Sequence, residues 1–371
     1  MYADQFEIYH GNANRDLARK IAHSVGMEPG QAEVFTFANE NIFVRILDNV
    51  REKDVFLVQP TSRPVNQSIM ELLIMIDAFK RASAGRITAV VPYYAYGRSD
   101  KKDQPRVPIT ARLIADMISV AGADRVLTMD LHQGQIQGFF NIPVDELTAV
   151  HILSRYFIDK KLDDCVVVTD LGFAKRARQF AELLDSPLAI VEKRRQGNLD
   201  RAEVVNVIGK VRGRTAIIVD DEIDTAGTLI EITRALEREG VSEIHACATH
   251  GVLSDPAIER IAASNLAEVV VTDTIPLLAD RRIPRIKVLS VAPLIGEAIK
   301  RIHRGESVGA LFGAEAAHTQ EMLLWEDGLE RPDRGDGGEG GGGREGGDGA
   351  GSGGSGDDHD VPWSTPASAG T

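Results

Sequence analysis

The sequence predicts an α/β protein in which mainly parallel sheets are flanked by helices. Short apolar segments alternate with segments of helical periodicity over most of the chain, an order typical of βαβ units. Polar residues suited to chemistry follow the predicted strands, and open parallel sheets bind ligands at that edge. At 371 residues the chain has room for two domains. We predict an N-terminal domain at 1–150 and a C-terminal domain at 151–315, whose last helix could pack on the first domain.

The individual elements follow from periodicity. Strands are predicted where apolar residues form short runs, and helices where they recur at helical spacing. The segment 66–81 is apolar almost all round, so we expect a helix buried on more than one side, and Ser68 with Glu71 is a candidate capping box at its start. Further helices are predicted around 17–25, from Pro108, and at 147–158, 172–184, 228–239, 255–263 and 293–303. Strands are predicted at 6–9, 33–38, 42–47, 54–59, 86–91, 125–129, 165–169, 187–191, 203–207, 215–219, 243–248 and 268–271.

Composition narrows the possible partners. The chain is 43% hydrophobic and 26% charged, which is ordinary for a soluble globular protein. A net charge of −13 does not suggest a surface for nucleic acid or for an anionic membrane. No apolar run approaches the length of a membrane span, and the N-terminus has no signal-peptide pattern. Cys165 and Cys247 lie in apolar strand-like runs, which indicates free thiols in a reducing cytosol, so we predict a cytoplasmic protein.

The segment 331–371 has a different character from the rest of the chain. It holds 15 of the 35 glycines, and its charged residues are mostly acidic. Such a segment cannot bury enough apolar surface to offset the entropy of ordering it. We therefore predict a disordered tail, whose alternative roles are a linker to a partner and a solubilising extension.

The stretch 219–228, VDDEIDTAGT, is the strongest functional signal. It joins a predicted buried strand to a predicted helix, so its backbone N–H groups and the helix N-terminus can surround an anion. Asp220, Asp221 and Asp224 indicate that the ligand also carries hydroxyl groups or a divalent cation, as a sugar phosphate does. The alternative is an ordinary turn whose acidic residues cap the helix, which the following Thr-x-Gly-Thr disfavours. The predicted phosphate loop consists of Asp224, Thr225, Ala226, Gly227 and Thr228.

Two other strand ends carry candidate metal ligands. Asp130 and His132 follow the strand at 125–129, with a spacing that allows both to face one cleft. A lone histidine is more often structural, but an acidic neighbour and a strand end make His132 a candidate contact for metal or phosphate. Asp170 ends the strand at 165–169 and is a candidate ligand, because Mg²⁺ sites use one or two carboxylates together with substrate phosphates.

Two basic segments complete the set. Arg98, Ser99 and Asp100 lie in a long polar loop after the strand at 86–91. Lys101, Lys102 and Arg106 make this loop basic, which suits a triphosphate clamp. Lys193-Arg194-Arg195 follows the strand at 187–191 and is succeeded by the polar segment 196–201. This second segment is either a solvated surface turn or a lid that brings positive charge to a transferring phosphoryl group. The chain has no GxxxxGK[ST] motif, so an ATP site here would not be a P-loop.

Taken together, these motifs resemble the ribose-phosphate pyrophosphokinase family. The resemblance runs from about Glu7 to Phe312 and is most specific in ASAGRITAVVPY, RVPITA, DLHQGQIQGFF, EKRR, VDDEIDTAGT and TDTIPL. Type I phosphoribosyltransferases would share only the element at 219–228. The resemblance implies two tandem phosphoribosyltransferase-like domains, assembly into hexamers, and ATP, ribose 5-phosphate and Mg²⁺ as ligands.

The resemblance also implies a role for each candidate residue. The C1 hydroxyl of ribose 5-phosphate attacks the β-phosphorus of ATP, and AMP leaves. Residues 224–228 hold the 5-phosphate, and Asp220 and Asp221 serve the ribose hydroxyls. His132 and Asp170 hold Mg²⁺. Positions 37–41, FANEN, correspond to the adenine loop, with asparagines where the family commonly has carboxylates. ATP would then contact Phe37, Asn39, Asn41, Arg98, Ser99 and Asp100, while Lys193 and Arg195 would stabilise charge in the transition state.

Two alternatives remain at this stage. A non-catalytic regulatory subunit of the same fold should have lost lid cations or ribose-site acids, yet Lys193, Arg195, Asp220 and Asp221 are all present. A phosphoribosyltransferase would consume phosphoribosyl diphosphate instead of making it. Formation of AMP from ATP in the presence of ribose 5-phosphate separates these possibilities.

Overall fold

Two mainly parallel sheets, one in each half of the chain, organise the computed structural model, which describes residues 6–195 and 202–311. The predicted tail at 331–371 lies outside the described residues. The described residues all belong to one compact unit, and the domain boundary near residue 150 stays a prediction. No helix of the described residues is long and apolar enough to cross a membrane.

The first sheet is five-stranded and wholly parallel, in the order β1-β4-β5-β6-β7. Its strand β4 is buried at every position, as expected of a sheet covered on both faces. A separate antiparallel hairpin is formed by β2 and β3. The elements of this half are β1 (Phe6–His10), α1 (Arg15–Ser24), β2 (Ala32–Thr36), β3 (Ile42–Ile46), β4 (Asp54–Val58), α2 (Val65–Arg81), β5 (Arg86–Val91), α3 (Thr110–Ala121), β6 (Arg125–Met129) and β7 (Val144–Leu147).

The second sheet is seven-stranded, in the order β10-β9-β8-β11-β12-β13-β14. All neighbours are parallel except β9 and β10, which form an antiparallel arm. The elements are α4 (Val150–Lys160), β8 (Cys165–Asp170), α5 (Ala174–Leu183), β9 (Leu188–Arg195), β10 (Ala202–Ile208), β11 (Thr215–Ile223), α6 (Gly227–Arg238), β12 (Glu243–Gly251), α7 (Ala257–Ala262), β13 (Glu268–Thr272), β14 (Ile286–Leu289) and α8 (Ala292–Arg304).

One hydrophobic core joins the two sheets. It combines Ile8 and Phe56 of the first sheet with Ile217 and Val270 of the second, and residues of α1, α4, α5 and α8 complete it. The last helix, α8, packs against α1, where the Ser24 hydroxyl lies 3.5 Å from the Ala292 carbonyl oxygen. The shared core fixes the carboxyl ends of β6 and β11 relative to each other, which positions the site described below.

Several sequence predictions need correction. Helix α2 begins at Val65 with no side-chain cap, so the proposed capping box is wrong; Glu71 instead accepts a hydrogen bond of 2.9 Å from Gln59 Nε2. Helix α3 begins at Thr110, two residues after the expected Pro108. Strand β9 continues to Arg195, so the three cations belong to the antiparallel arm. The short edge strands β7 and β14 were not predicted at all.

Candidate active site

A cleft of about 630 Å³ opens where the strands of both sheets end. The segment after β5, His132 after β6, the end of β8 and the end of β11 all contribute to it. This placement follows from the parallel strand order, because the carboxyl ends of parallel strands share an edge. The cleft brings together most of the predicted site residues, namely Arg98, Ser99, Asp100, His132, Asp170, Asp220, Asp221, Asp224, Thr225, Ala226, Gly227 and Thr228.

The predicted phosphate loop lies between β11 and α6. Ala226 has a left-handed backbone, with φ of 57°, and α6 begins at the next residue, Gly227. The turn directs the start of a 12-residue helix at the cleft, where backbone N–H groups lack intrahelical partners and attract anions. Arg260 supports the loop from outside the cleft, because its Nη1 donates to the Thr225 carbonyl at 2.8 Å.

Asp221 and His132 form a link between the two sheets. The carboxylate of Asp221 is buried and lies 2.7 Å from His132 Nδ1. The backbone N–H of Asp221 also donates to Asp220 Oδ1 at 2.9 Å. The hydrogen bond to Asp221 raises the pKa of His132 above its ordinary value. Burial alone would raise the pKa of the Asp221 carboxyl, but its hydrogen bonds with His132 and Asp220 hold that pKa below the usual range.

His132 and Asp170 can serve a metal in different ways. With Nδ1 turned to Asp221, His132 keeps Nε2 for a ligand, an arrangement common for metal-bound histidines. Asp170 Oδ1 accepts the backbone N–H of Phe173 at 3.0 Å, which fixes the carboxylate at the cleft. The described residues contain no cluster of three or more side chains that could hold a metal by themselves. This donor set suits Mg²⁺, which takes few protein ligands and relies on substrate phosphates.

Asp130 does not face the cleft, contrary to the sequence prediction. Its carboxylate is buried and accepts the Ala149 N–H at 2.8 Å and the Thr249 hydroxyl at 2.7 Å. The neighbouring His250 is also buried, and its Nε2 lies 3.1 Å from the Met129 carbonyl oxygen. Because a carbonyl oxygen only accepts, Nε2 carries the proton, and burial lowers the pKa of this histidine. Asp130, Thr249 and His250 therefore join β6 to β12 just before His132.

Arg98 forms an ion pair with a residue that the sequence analysis did not single out. Its Nε lies 2.5 Å from Glu222 Oε1, and its Nη1 lies 3.8 Å from Asp224 Oδ2. Burial raises the pKa of Glu222 to about 7, even though Arg98 opposes that shift. The arginine expected at the ATP phosphates thus rests against the predicted ribose side of the cleft.

The predicted adenine contacts lie elsewhere. Phe37, Asn39 and Asn41 follow β2 in the hairpin, and none of the described cleft-lining residues comes from that hairpin. Asn39 Oδ1 accepts the Asn41 N–H at 3.2 Å, so this side chain shapes the turn. Phe37 is 48% exposed and packs edge-on against Phe35 and Phe43. The exposed aromatic rings are available to a ligand or to another chain.

The two predicted catalytic cations can be located only by their backbone. Lys193 and Arg195 pair with Val204 and Ala202 in the β9–β10 arm. Their side chains, and the whole segment 196–201, lie outside the described residues. Their catalytic role stays a prediction.

Glu222, Thr249 and His250 are the site residues that sequence reasoning missed. Glu222 lies inside the 219–228 motif. Among three aspartates, one more acidic residue did not indicate a role of its own. Thr249 and His250 lie near the end of β12, and a polar pair at a strand end is the same signal that identified His132. Their hydrogen-bond partners, Asp130 and Met129, are more than a hundred residues away in sequence, so no local pattern reveals these contacts.

Comparison with known proteins identifies the family. Residues 6–122 match the model of the N-terminal domain of ribose phosphate pyrophosphokinase, and residues 196–313 match the phosphoribosyl synthetase-associated domain. The ribose-phosphate pyrophosphokinase of Caldanaerobacter subterraneus subsp. tengcongensis is 57% identical over 84% of this chain and 99% of its own length. That of Clostridium acetobutylicum is 53% identical over 85% of this chain and 99% of its own length.

A solved structure agrees with these relatives. The crystal structure of phosphoribosylpyrophosphate synthetase from Mycobacterium smegmatis matches with a TM-score of 0.77 and 42% identity. The match covers 81% of this chain and all of that one, 100%. The chain therefore belongs to the ribose-phosphate pyrophosphokinase family of enzymes, diphosphotransferases of nucleotide biosynthesis.

Proposed function

We propose that the cleft moves the diphosphoryl group of ATP to the C1 hydroxyl of ribose 5-phosphate, giving 5-phosphoribosyl 1-diphosphate and AMP. The observation that carries this proposal is the meeting, in one cleft, of a phosphate loop, two ribose-site aspartates, two metal-site residues and a basic loop. Phosphoryl transfer requires positioning and charge neutralisation more than covalent help from the protein, and these residues supply both.

The ribose side is formed by the end of β11 and the start of α6. The loop 224–228 binds the 5-phosphate through backbone N–H groups and the helix N-terminus. Asp220 and Asp221 accept hydrogen bonds from the ribose hydroxyls, which orients the sugar so that its C1 hydroxyl points into the cleft. The His132 contact to Asp221 holds that carboxylate ionised, and only an ionised carboxylate accepts with both oxygens.

Mg²⁺ would be held by His132 through Nε2 and by Asp170, directly or through water, with the remaining positions taken by water and substrate phosphates. When bound, the ion neutralises phosphate charge and polarises the group that is transferred. The contact with Asp221 orients His132, and the hydrogen bond from the Phe173 N–H fixes Asp170.

The triphosphate is bound by Arg98, Ser99 and Asp100, the last through water or the metal ion. Lys193 and Arg195 close over the transferring group and stabilise the charge that develops on it. The support for this lid is the sequence EKRR and the position of both residues at the end of the β9–β10 arm.

The adenine base is contacted by Phe37, Asn39 and Asn41. The protein also self-associates, as a hexamer. Because the hairpin does not line the cleft of its own chain, a second protomer would bring its exposed hairpin to the triphosphate site. Mixing Lys193→Ala protomers with Phe37→Ala protomers tests this arrangement. Mixed oligomers should regain activity, since some sites combine an intact lid with an intact hairpin; no recovery after subunit exchange would contradict it.

We also place the enzyme in the cytoplasm, where its free Cys165 and Cys247 would stay reduced. The proposed reaction is tested by incubating the protein with ATP, Mg²⁺ and ribose 5-phosphate and measuring AMP. AMP should form only when ribose 5-phosphate is present, and the Asp220→Asn variant should form much less. A phosphoribosyltransferase or a non-catalytic subunit would form none.

A further inference from the structure

Glu222 is a largely buried acid whose role is separate from those of the neighbouring aspartates. Its side chain is only 9% exposed, and ionised carboxylates are seldom buried without a partner. It stands one residue after Asp221 and two before Asp224, near the end of β11. The other groups that act electrostatically on it are Arg98, Asp221, His132 and Asp224.

Arg98 is the cation that compensates Glu222. The arginine side chain is 53% exposed, so it can move, whereas the glutamate is fixed in the sheet. The 3.8 Å separation between Arg98 Nη1 and Asp224 Oδ2 is too long for a hydrogen bond. Among the described side chains, Glu222 is therefore the main group that offsets the charge of Arg98.

We propose that Glu222 sets the affinity for ATP by competing with the triphosphate for the guanidinium of Arg98. The inference rests on the proposed function, in which Arg98 contacts the ATP phosphates. Glu222 is thus a positioning residue of the nucleotide site that acts through Arg98, although it belongs to the strand that carries the ribose site.

The competition has a physical origin. A guanidinium that turns toward phosphate oxygens weakens its contact with Glu222, and a buried carboxylate left without its cation is unfavourable. That loss opposes ATP binding. The Glu222 side chain is only 9% exposed, so water can compensate little of the lost contact. Ribose 5-phosphate does not need Arg98, so its binding should not depend on the competition.

The test is the KM for ATP of the Glu222→Gln variant at about pH 8, where the Glu222 carboxylate of the unmodified protein is mostly ionised. Glutamine keeps the size of the side chain but removes the charge, so the KM for ATP should fall about tenfold, with little change in the KM for ribose 5-phosphate. Glu231→Gln is the matched control, because Glu231 is also ion-paired, to Arg234, but lies outside the cleft. The control should leave both KM values unchanged.

The Arg98→Ala background separates competition from a general charge effect. There the Glu222→Gln change should no longer lower the KM for ATP. Glu222→Met provides a second neutral side chain of similar length, in case the glutamine variant folds poorly. An unchanged or higher KM for ATP in folded Glu222→Gln and Glu222→Met, or an equal drop without Arg98, would overturn the proposal. AMP formation by the unmodified enzyme tests the proposed function separately.

Discussion

Replacing Glu222 by glutamine should change how stability depends on pH. Burial raises the pKa of this carboxyl from its ordinary 4.5 to about 7 in the folded chain, whereas the unfolded chain keeps the ordinary value. Between those two values the folded state binds the proton more tightly, so unfolding releases protons. The free energy of unfolding therefore falls as pH rises through this window.

The size of the effect follows from the shift. Each pKa unit corresponds to about 1.4 kcal/mol, so ionisation of Glu222 should cost about 2 to 3 kcal/mol of stability between about pH 5 and about pH 8. The side chain is only 9% exposed, so solvent screens little of this cost. Glutamine cannot ionise, and the variant should lack this part of the pH dependence.

The assay is denaturant unfolding of both proteins at the two pH values, in EDTA and without substrates. Relative to that of the unmodified protein, the free energy of unfolding of the Glu222→Gln variant should be larger at the higher pH than at the lower pH. Glu231→Gln, which removes a partly exposed acid, should follow the unmodified protein at both. A Glu222→Gln profile parallel to that of the unmodified protein would refute the argument that Glu222 ionises at a raised pKa.

Three further predictions concern the lid, the nucleotide and the tail. Lys193→Ala or Arg195→Ala should lower turnover by orders of magnitude with ribose 5-phosphate binding nearly intact, and near-normal turnover in either variant would exclude the charge-stabilising role. The Asn39→Asp, Asn41→Glu double variant should increase the ratio of turnover efficiencies for ATP over GTP, because a carboxylate accepts from the adenine amino group and repels a carbonyl; an unchanged ratio would mean that these residues do not read the base. Truncation after Leu329 should leave activity and light-scattering mass unchanged, and a different oligomer would show that the tail takes part in assembly.

The strands in the interior of each sheet were predicted well from their apolar sequences. The buried β4 and β11 have continuous apolar runs, and the helices between strands have clear periodicity. The missed strands β7 and β14 are four-residue strands at sheet edges with charged residues in them, so they carry little pattern. The arm formed by β9 and β10 extends past its apolar part because the backbone pairing continues through the cations.

Most residues of the candidate site were predicted from the sequence, but their contacts with one another were not. Motif residues at strand ends converge because parallel strands end at one edge, and this rule placed His132, Asp170 and Asp221 correctly in the cleft. The rule does not tell which of two nearby residues faces the cleft: His132 does, whereas the Asp130 side chain lies between the two sheets, where it accepts a hydrogen bond from Thr249. It also does not reveal pairs such as Arg98 and Glu222, which form only when the loop after β5 meets the distant strand β11.

The central claim is that the C1 hydroxyl of ribose 5-phosphate attacks the β-phosphorus of ATP in this cleft. The most direct test uses ribose 5-phosphate labelled with ¹⁸O at C1 and identifies the products by mass spectrometry. Attack by the hydroxyl keeps the C1–O bond, so the label should appear in 5-phosphoribosyl 1-diphosphate, and the nucleotide product should be unlabelled AMP. Loss of the label from the sugar product, or ADP as the nucleotide product, would contradict the account.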